Sequence, residues 1–297
     1  MNLNMLDVEK IVRRALEEDI GTGDITTTLT IPPGSISHAK IIANEPGIIA
    51  GLHVAALVFE LVARSYGSDI AVKVTSQVGG EPTRVRFRAS MLDGSEVNAG
   101  DTIAEIEGDT AVILTGERTA LNFLQRMSGI ATKTSRLVKL IAHTKAHVVD
   151  TRKTTPGMRM LEKYAVRMGG GQNHRFGLYD AILIKDNHIL AAGGIEKAIH
   201  AARAGIPHTV KIEVEADTLE QVRQALDAGA DMILLDNMSL DMLRQAVTMC
   251  SGRALTEASG GITEETIAKI AETGVDLISV GALTHSVQAL DLSLDIV

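Results

Sequence analysis

Charged side chains follow several short apolar runs in the second half of the chain. AHVVD is followed by Arg152 and Lys153, and AILIK ends in Lys185. Two later runs end in carboxylates, VKIEVE in Glu215 and MILLD in Asp236. In a parallel barrel such residues meet, because the active site lies where the carboxyl ends of the strands converge. Cations beside two carboxylates indicate a pocket for an anionic ligand, in which the carboxylates could hold Mg²⁺ through water or accept from sugar hydroxyls.

Several of these side chains have a second interpretation. Glu213 has the same parity along its strand as Glu215, and the sequence chooses only weakly between the two. An arginine such as Arg152 can grip a carboxylate with two parallel hydrogen bonds. Lys153 and Lys185 could instead be Schiff-base lysines, as in many barrel aldolases. The sequence has no His/Cys cluster with zinc spacing, which argues against a transition-metal site.

Small residues follow the last two apolar runs, ALTEAS and LISVG. In barrels, the loops after the final strands often bind a phosphate through backbone N–H groups. Either turn alone is equally well explained as a tight connection from strand to helix. The two together favour a phosphate site formed by Ser259, Gly260, Gly261, Val280, Gly281 and Ala282.

The charge is distributed unevenly. The formal net charge is -8, yet the segment from Arg118 to Lys185 contains 13 Lys and Arg residues and only three Asp and Glu residues. Lysines such as Lys139 and Lys163 are expected to be solvated helix surface. The local excess is also what a net-acidic chain needs in order to bind a polyanionic small molecule. Nucleic acid is the weaker alternative, because aromatic residues make up 2% of the chain and Trp is absent.

The apolar runs that precede the charged residues predict the fold of the second half. Runs spaced 20 to 30 residues apart with helical stretches between them indicate βαβ units and a parallel sheet. Their regular spacing favours a barrel over a doubly wound sheet, although six strands fall short of the usual eight. The predicted strands are 146–150, 181–185, 210–215, 232–236, 254–259 and 277–281.

The first 110 residues follow a different pattern. An amphipathic helix ending at Gly21 and the helix GLHVAALVFELVARSYG accompany segments that alternate like half-exposed antiparallel strands. A long helical stretch, roughly 111–142, then leads into the barrel. The predicted antiparallel strands are 37–45, 70–77, 83–90 and 101–108.

Membrane insertion and disulfide bonding are not expected. The longest apolar patch, VAALVFELVA, is interrupted by Glu60 and is too short to span a bilayer. The N-terminal segment lacks the basic and apolar regions of a signal peptide, so export is not predicted. Cys250 is the only cysteine, and we expect it to be a small core residue.

Residues 169–175 read GGGQNHR. A dinucleotide fingerprint would need glycine where His174 stands, and a P-loop would need a Lys-Ser or Lys-Thr pair that is missing here. The preceding LEKYAVRM is helical in character. We therefore predict that Gly169 to Gly171 end this helix and turn the backbone sharply.

Several long motifs together resemble the quinolinate phosphoribosyltransferase family, almost from end to end of the chain. The stretch GGEPTRVRFRAS (79–90) is longer than that family would suggest. The motifs are EEDIGTGDIT (17–26), GERTALNFLQRMSGIAT (116–132), DTRKTTPGMRMLEKYAVRMGGGQNHRFGLYDAILIKDNH (150–188), DNM (236–238), EASGGI (257–262) and DLISVGALTHSVQALDLSL (276–294).

The resemblance implies an α/β protein with two domains. An N-terminal α/β sandwich would comprise residues 1–115, with 283–297 packed on it, and an incomplete α/β barrel of about six to seven strands would comprise 116–282. It further implies a cytoplasmic homodimer or larger even oligomer in NAD biosynthesis. The family reaction joins quinolinate to phosphoribosyl pyrophosphate with Mg²⁺, giving nicotinate mononucleotide, pyrophosphate and CO₂.

The resemblance also implies a role for each candidate residue. Quinolinate would be bound by Arg118 from the neighbouring subunit together with Thr151, Arg152, Lys153, His174, Arg175 and Lys185. Phosphoribosyl pyrophosphate would contact Lys153, Glu215, Asp236 and the turns at 259–261 and 280–282. Lys153, Lys185, Glu215 and Asp236 would act electrostatically, and the last two would hold Mg²⁺.

Three other functions remain as alternatives. One is a related pyridine phosphoribosyltransferase with an altered substrate, against which the Arg152, His174 and Arg175 constellation argues, since a monocarboxylate needs fewer cations. The others are a Schiff-base aldolase that uses Lys153 or Lys185, and a ligand-binding barrel without catalysis.

Overall fold

The first part of the chain forms helices around short antiparallel sheets. The structure is a computed structural model, and it describes residues 3–66 and 85–297. The predicted strand at 70–77 and residues 79–84 of the longer stretch lie outside the described residues. In chain order the elements are α1 (Met5–Ile20), α2 (Ile25–Thr30), β1 (Ile36–Ala43), β2 (Gly47–Ile48), α3 (Leu52–Ser65), β3 (Val85–Ala89), β4 (Glu96–Val97), β5 (Thr102–Asp109) and α4 (Thr110–Leu140).

Strands and helices alternate in the rest of the chain. Each apolar run predicted as a strand contains a strand: 232–236 matches its predicted bounds, 210–215 is shifted to Ile212–Ala216, and the other four are one or two residues shorter than predicted. The elements are β6 (His147–Val149), α5 (Arg159–Met168), β7 (Ile182–Ile184), α6 (Asp186–Ala192), α7 (Ile195–Gly205), β8 (Ile212–Ala216), α8 (Leu219–Asp227), β9 (Met232–Asp236), α9 (Leu240–Cys250), β10 (Leu255–Ser259), α10 (Ile267–Ala271), β11 (Leu277–Ser279), α11 (Ala282–His285) and β12 (Leu292–Ile296).

The six strands β6 to β11 form one parallel sheet in the order β6-β11-β10-β9-β8-β7. From β7 to β11 each strand lies beside its predecessor, so the order never reverses as it would in a doubly wound sheet. β6 then follows β11, which leaves β6 and β7 as the two edges in the described part of the chain. This is an incomplete α/β barrel, as predicted, and its strand ends face one region.

A four-stranded antiparallel sheet, β12-β1-β5-β3, accompanies the barrel. Its strands alternate buried and exposed residues, which is why the antiparallel pattern was visible in the sequence. The last strand pairs with β1, so that Ala39 lies opposite Ile296. α1 buries Val8, Val12 and Leu16 along one face and ends at Gly21, as its periodicity predicted.

The described residues divide into two compact units. One takes in the described part of Met1–Lys133 with Pro156–Gly169 and Val287–Val297, and the other consists of Thr134–Thr155 and Gly170–Ser286. Every predicted site residue except Arg118 belongs to the second unit. No helix within 3–66 or 85–297 is long and apolar enough to cross a membrane.

The expectation that Lys163 is solvated helix surface is wrong. Lys163 and Glu162 in α5 are both fully buried, and the Glu162 carboxylate accepts from the guanidinium of Arg126 at 2.7 Å. Helical periodicity places charges outward, but α5 is enclosed over most of its circumference, with Leu161 and Ala165 buried as well. Lys139 is exposed as expected, and Cys250 is buried.

Candidate active site

A cleft of about 830 Å³ opens at the carboxyl ends of the barrel strands, in the second unit. Each strand contributes residues at its carboxyl end or in the turn that follows, which is the arrangement expected of a barrel enzyme. The cleft brings together every site residue predicted from the sequence except Arg118: Thr151, Arg152, Lys153, His174, Arg175, Lys185, Glu215, Asp236, Ser259, Gly260, Gly261, Val280, Gly281 and Ala282.

Sequence reasoning missed part of the lining. Glu257 has the same strand parity as Ser259, so the alternation along β10 could have identified it. Asn237 could have been suspected only as the neighbour of Asp236. The further lining residues are Leu183, Leu234, Asn237, Glu257, Ile262, Thr263, Ser279 and His285. Arg118 lies exposed on α4, in the first unit.

Two guanidinium groups make one end of the cleft strongly cationic. The Nη1 group of Arg175 donates to the carbonyl of Ala181 at 3.0 Å, whereas its Nε is buried and has no hydrogen-bond partner within residues 3–66 and 85–297. Burial and then the neighbouring charge of Arg152 lower the pKa of Arg175. A buried donor without a partner beside a second cation is costly unless an anion binds there. This end of the cleft therefore favours a carboxylate or a phosphate.

His174 is held in a single tautomer. Its Nδ1 accepts from the backbone N–H of Arg175 at 2.7 Å, so the ring proton must reside on Nε2. That Nε2 lies 2.9 Å from the Glu213 carboxylate and 3.7 Å from that of Glu257. The ring is thus a neutral donor toward Glu213, and its direct contact with a ligand carboxylate stays a prediction.

The glycine run ends α5 as predicted, with Gly169 as the C-cap. The turn that follows is fixed by the buried carboxylate of Asp150, which accepts from the His174 backbone N–H at 2.9 Å and from the Asn173 amide at 2.6 Å. Asp150 ends the first apolar run of the barrel. The segment GGGQN therefore delivers His174 and Arg175 to the cleft from a rigid support.

Glu213 and Glu257 form a buried carboxyl pair, of which Glu257 lines the cleft and Glu213 does not. Three of their four carboxyl oxygens have no hydrogen-bond partner in the structure. Burial first, and then the charge of Glu213, raise the pKa of Glu257 to about 8. Glu213 is 4% exposed and does not line the cleft, whereas Glu215 does. The geometry therefore selects Glu215 as the carboxylate that a ligand can reach.

We expect Glu257→Gln to change the pH dependence of stability. The pKa of Glu257 is raised from 4.5 in the unfolded chain to about 8 in the folded protein. The protonated side chain therefore adds to the free energy of unfolding in full below pH 4.5, and this contribution is lost as the pH rises through 8. Glutamine stays neutral and lacks this loss. The Tm of the variant minus that of the wild type should therefore increase between about pH 4.5 and 8.

Glu264→Gln serves as the control, because Glu264 is exposed. Its Tm difference from the wild type should stay flat over the same pH range. A flat difference for Glu257→Gln as well would show that Glu257 does not retain a proton in the folded protein.

Carboxylates cluster where β8 and β9 end. One oxygen each from Glu215, Asp217 and Asp236 lies within 4.8 Å of the others. The Nζ of Lys185 approaches Glu215 at 3.3 Å, and burial raises the pKa of Glu215 against the effect of Lys185. Three carboxylate oxygens at such separations are the hard donors that Mg²⁺ prefers. Asp217 was not predicted as a member of this group.

Steric contacts explain why glycine occupies positions 260 and 281 in the two small-residue turns. A Cβ on Gly260 would lie 2.1 Å from Oδ1 of Asn237, and one on Gly281 would lie 3.0 Å from the Lys153 side chain. Lys153 itself is anchored, since its carbonyl accepts from Thr284 at 2.7 Å and its N–H donates to Thr151 at 3.0 Å. Gly281 therefore allows the stem of Lys153 to cross into the cleft.

Both parts of the chain match one family by sequence. Residues 24–128 match the description "Quinolinate phosphoribosyl transferase, N-terminal domain", and residues 130–295 match the C-terminal domain of the same description. A Bacillus subtilis protein named probable nicotinate-nucleotide pyrophosphorylase, carboxylating, is 45% identical over 99% of this chain and 95% of its own length. A Nicotiana tabacum protein, named quinolinate phosphoribosyltransferase, decarboxylating, 2b, mitochondrial, is 42% identical over 98% of this chain and 82% of its own length.

Solved structures share the fold. The nicotinate-nucleotide pyrophosphorylase from Francisella tularensis superposes with a TM-score of 0.90 at 41% identity, covering 100% of this chain and 98% of its own. A protein titled NadC from Streptococcus pyogenes gives a TM-score of 0.89 at 39% identity, covering 100% and 99%. The likeness thus includes both the antiparallel part and the barrel.

Proposed function

This chain belongs to the quinolinate phosphoribosyltransferase family, and from that premise we propose how its cleft divides the reaction among its residues. The protein transfers the phosphoribosyl group of phosphoribosyl pyrophosphate to quinolinate. It acts in NAD biosynthesis, and the products are nicotinate mononucleotide, pyrophosphate and CO₂. The observation that best supports our assignment of residues is the Arg152 and Arg175 pair, with one buried guanidinium N–H left without a partner.

Quinolinate binds at the cationic end of the cleft. Its two carboxylates offset the repulsion between Arg152 and Arg175, and Arg175 supplies the buried N–H that lacks an acceptor. Thr151, Lys153 and Lys185 complete the contacts. His174 contributes by fixing the backbone of Arg175 through its Nδ1, since its Nε2–H is engaged by Glu213.

Phosphoribosyl pyrophosphate lies along the other strand ends. Glu215 and Asp236 accept from the ribose hydroxyls, and Lys153 faces the pyrophosphate. The 5-phosphate is held by backbone N–H groups of the two small-residue turns. These turns are Ser259 to Gly261 and Val280 to Ala282.

The carboxylate cluster fits Mg²⁺. Glu215 and Asp236, with Asp217 beside them, offer oxygen atoms alone and lie next to the proposed pyrophosphate position. When bound, Mg²⁺ would neutralise charge on the departing pyrophosphate. The protein side chains have to place the two substrates and to stabilise the charge that develops between them.

No protein nucleophile is required. The pyridine nitrogen attacks C1 of the ribose as the C1–oxygen bond to pyrophosphate breaks, and the positive charge on the ribose is stabilised by Glu215 and Asp236. The ring nitrogen then carries a positive charge beside the 2-carboxylate. The bond from C2 to that carboxylate breaks, CO₂ departs, the electron pair stays on the ring, and a proton takes its place. Positioning supplies most of the rate.

The assembly is part of the proposal. We infer a homodimer or larger even oligomer in the cytoplasm, in which Arg118 of one subunit enters the cleft of its neighbour. Arg118 is exposed on α4 and is not among the described residues that line its own subunit's cleft. Size-exclusion chromatography with light scattering checks the oligomeric state, and cell fractionation checks the location.

One incubation tests the function against its alternatives. The protein is mixed with quinolinate labelled in the 2-carboxylate, phosphoribosyl pyrophosphate and Mg²⁺, and we expect nicotinate mononucleotide and labelled CO₂ in equal amounts. Turnover of nicotinate without CO₂ release would favour the altered-substrate alternative. Borohydride trapping on Lys153 or Lys185 would favour an aldolase, which the ion pair of Lys185 with Glu215 already disfavours.

A further inference from the structure

Asn237 has an unusual backbone conformation at the edge of the cleft. It follows the last residue of β9 and has φ 52. Among residues 3–66 and 85–297 it is the one non-glycine residue with positive φ. This conformation costs roughly 1 kcal/mol for most side chains, and asparagine tolerates it better than nearly all others. Residues held in such a conformation often belong to functional sites.

Three contacts hold Asn237 in place. Its Nδ2 donates to Oδ2 of Asp236 at 2.7 Å, and its backbone N–H donates to the carbonyl of Ser259 at 2.9 Å. Its Oδ1 occupies the space where a side chain on Gly260 would begin. β9 and β10 are in register here, with Asp236 opposite Ser259. Asn237 therefore connects the ends of both strands.

These contacts commit one oxygen of Asp236 to Asn237 and fix the orientation of its carboxylate. Glu215 and Asp217 have no comparable amide donor in the described structure. The absence of a side chain at Gly260 gives Asn237 the room to reach Asp236. The turn at 259–261 thus has a role beyond presenting backbone N–H groups.

We propose that Asn237 is a positioning residue that aims the Asp236 carboxylate at the Mg²⁺ and ribose of phosphoribosyl pyrophosphate. This role rests on the proposed function. Asparagine is the residue type that combines an amide donor with tolerance of the left-handed backbone. Aspartate would tolerate the backbone but would place a second carboxylate against Asp236, and glycine would relax the backbone but remove the donor.

The test compares Asn237→Gly and Asn237→Asp in the full-length protein. Asn237→Gly adopts the left-handed backbone without strain, so it should still fold. Both variants should raise the KM for phosphoribosyl pyrophosphate by about tenfold or more, the effect of losing a charge-assisted hydrogen bond, while the KM for quinolinate changes little. Without quinolinate, the rise in Tm caused by Mg²⁺ with phosphoribosyl pyrophosphate should shrink in both. Asn98→Asp is the charge-matched control, because Asn98 is exposed in the first unit.

The outcomes separate this role from the proposed function. An active wild type, together with unchanged KM and ligand-induced Tm rise in Asn237→Gly, would overturn the positioning role alone. A wild type that forms no nicotinate mononucleotide would overturn the proposed function and this role with it. Equal increases in both KM values would also overturn the role, because they would indicate a general disturbance of the cleft.

Discussion

Arg175→Ala is expected to lower kcat/KM for quinolinate by about 10³-fold, because a charged contact to a dicarboxylate in a partly buried site contributes about 4 kcal/mol. The wild-type guanidinium is desolvated beside Arg152, and its Nε has no hydrogen-bond partner among the described residues. Its binding energy is therefore available to the substrate. The measurement is steady-state turnover with quinolinate varied at saturating phosphoribosyl pyrophosphate.

The same geometry predicts that Arg175→Ala folds normally. Its hydrogen bond in the described structure goes to the Ala181 carbonyl, and no salt bridge depends on it there. Arg175→Lys should lie between the alanine variant and the wild type, since lysine keeps the charge but loses the planar donors. Arg223→Ala is the control, because Arg223 is exposed in the second unit and pairs with Glu220 on the surface. A near-wild-type rate for Arg175→Ala would contradict the assignment of the quinolinate end.

Arg152→Ala should also lower kcat/KM for quinolinate. Arg152 is more exposed than Arg175, so solvent can replace part of its interaction and its loss should be smaller. The difference in kcat/KM between the two variants thus reports how far each arginine's contact with quinolinate is shielded from solvent.

The barrel was predictable because its strands are buried on both faces. Runs such as MILLD and AILIK are nearly continuous in apolar residues, and the polar residue that ends each run lies at the strand's carboxyl end or just past it. Parallel pairing then brings these strand ends together, regardless of how the connecting helices pack. The strand ends and the turns after them, together with His174 and Arg175 from the family resemblance, account for the fourteen of fifteen predicted site residues that lie in one cleft.

The sequence did not predict which side chains on the inward face of a strand reach the cleft and which are buried below it. Glu213 and Glu215 share a parity, yet Glu213 is buried with Glu257 and Glu215 reaches the cleft. Periodicity predicts on which face of the strand a side chain lies, whereas the layer of the barrel interior that the side chain occupies depends on how neighbouring strands are staggered. For the same reason the contact of His174 with Glu213 was not predicted, because Glu213 lies on a strand 39 residues away in sequence. No role was predicted for Asn237, because its positive φ and its contact with Asp236 depend on backbone geometry that the residue type does not determine.

Arg118→Ala and Lys185→Ala should each be nearly inactive alone, yet a heterodimer with one substitution in each chain should regain about half of the wild-type activity. The reason is that one cleft of the pair then has its own Lys185 and receives an intact Arg118 from the other subunit. The other cleft lacks both. Two different affinity tags, with purification on each in turn, isolate the heterodimer for the assay.

The reciprocal heterodimer makes the test decisive. When one chain carries both substitutions and its partner is wild type, a trans-acting Arg118 predicts an inactive pair, because the cleft that keeps Lys185 receives no arginine. A cis-acting Arg118 predicts the opposite pattern, with about half activity here and none in the first heterodimer. The two arrangements contain the same substitutions in the same number, so loss of stability cannot imitate either result. Only the subunit from which Arg118 reaches the cleft differs between them.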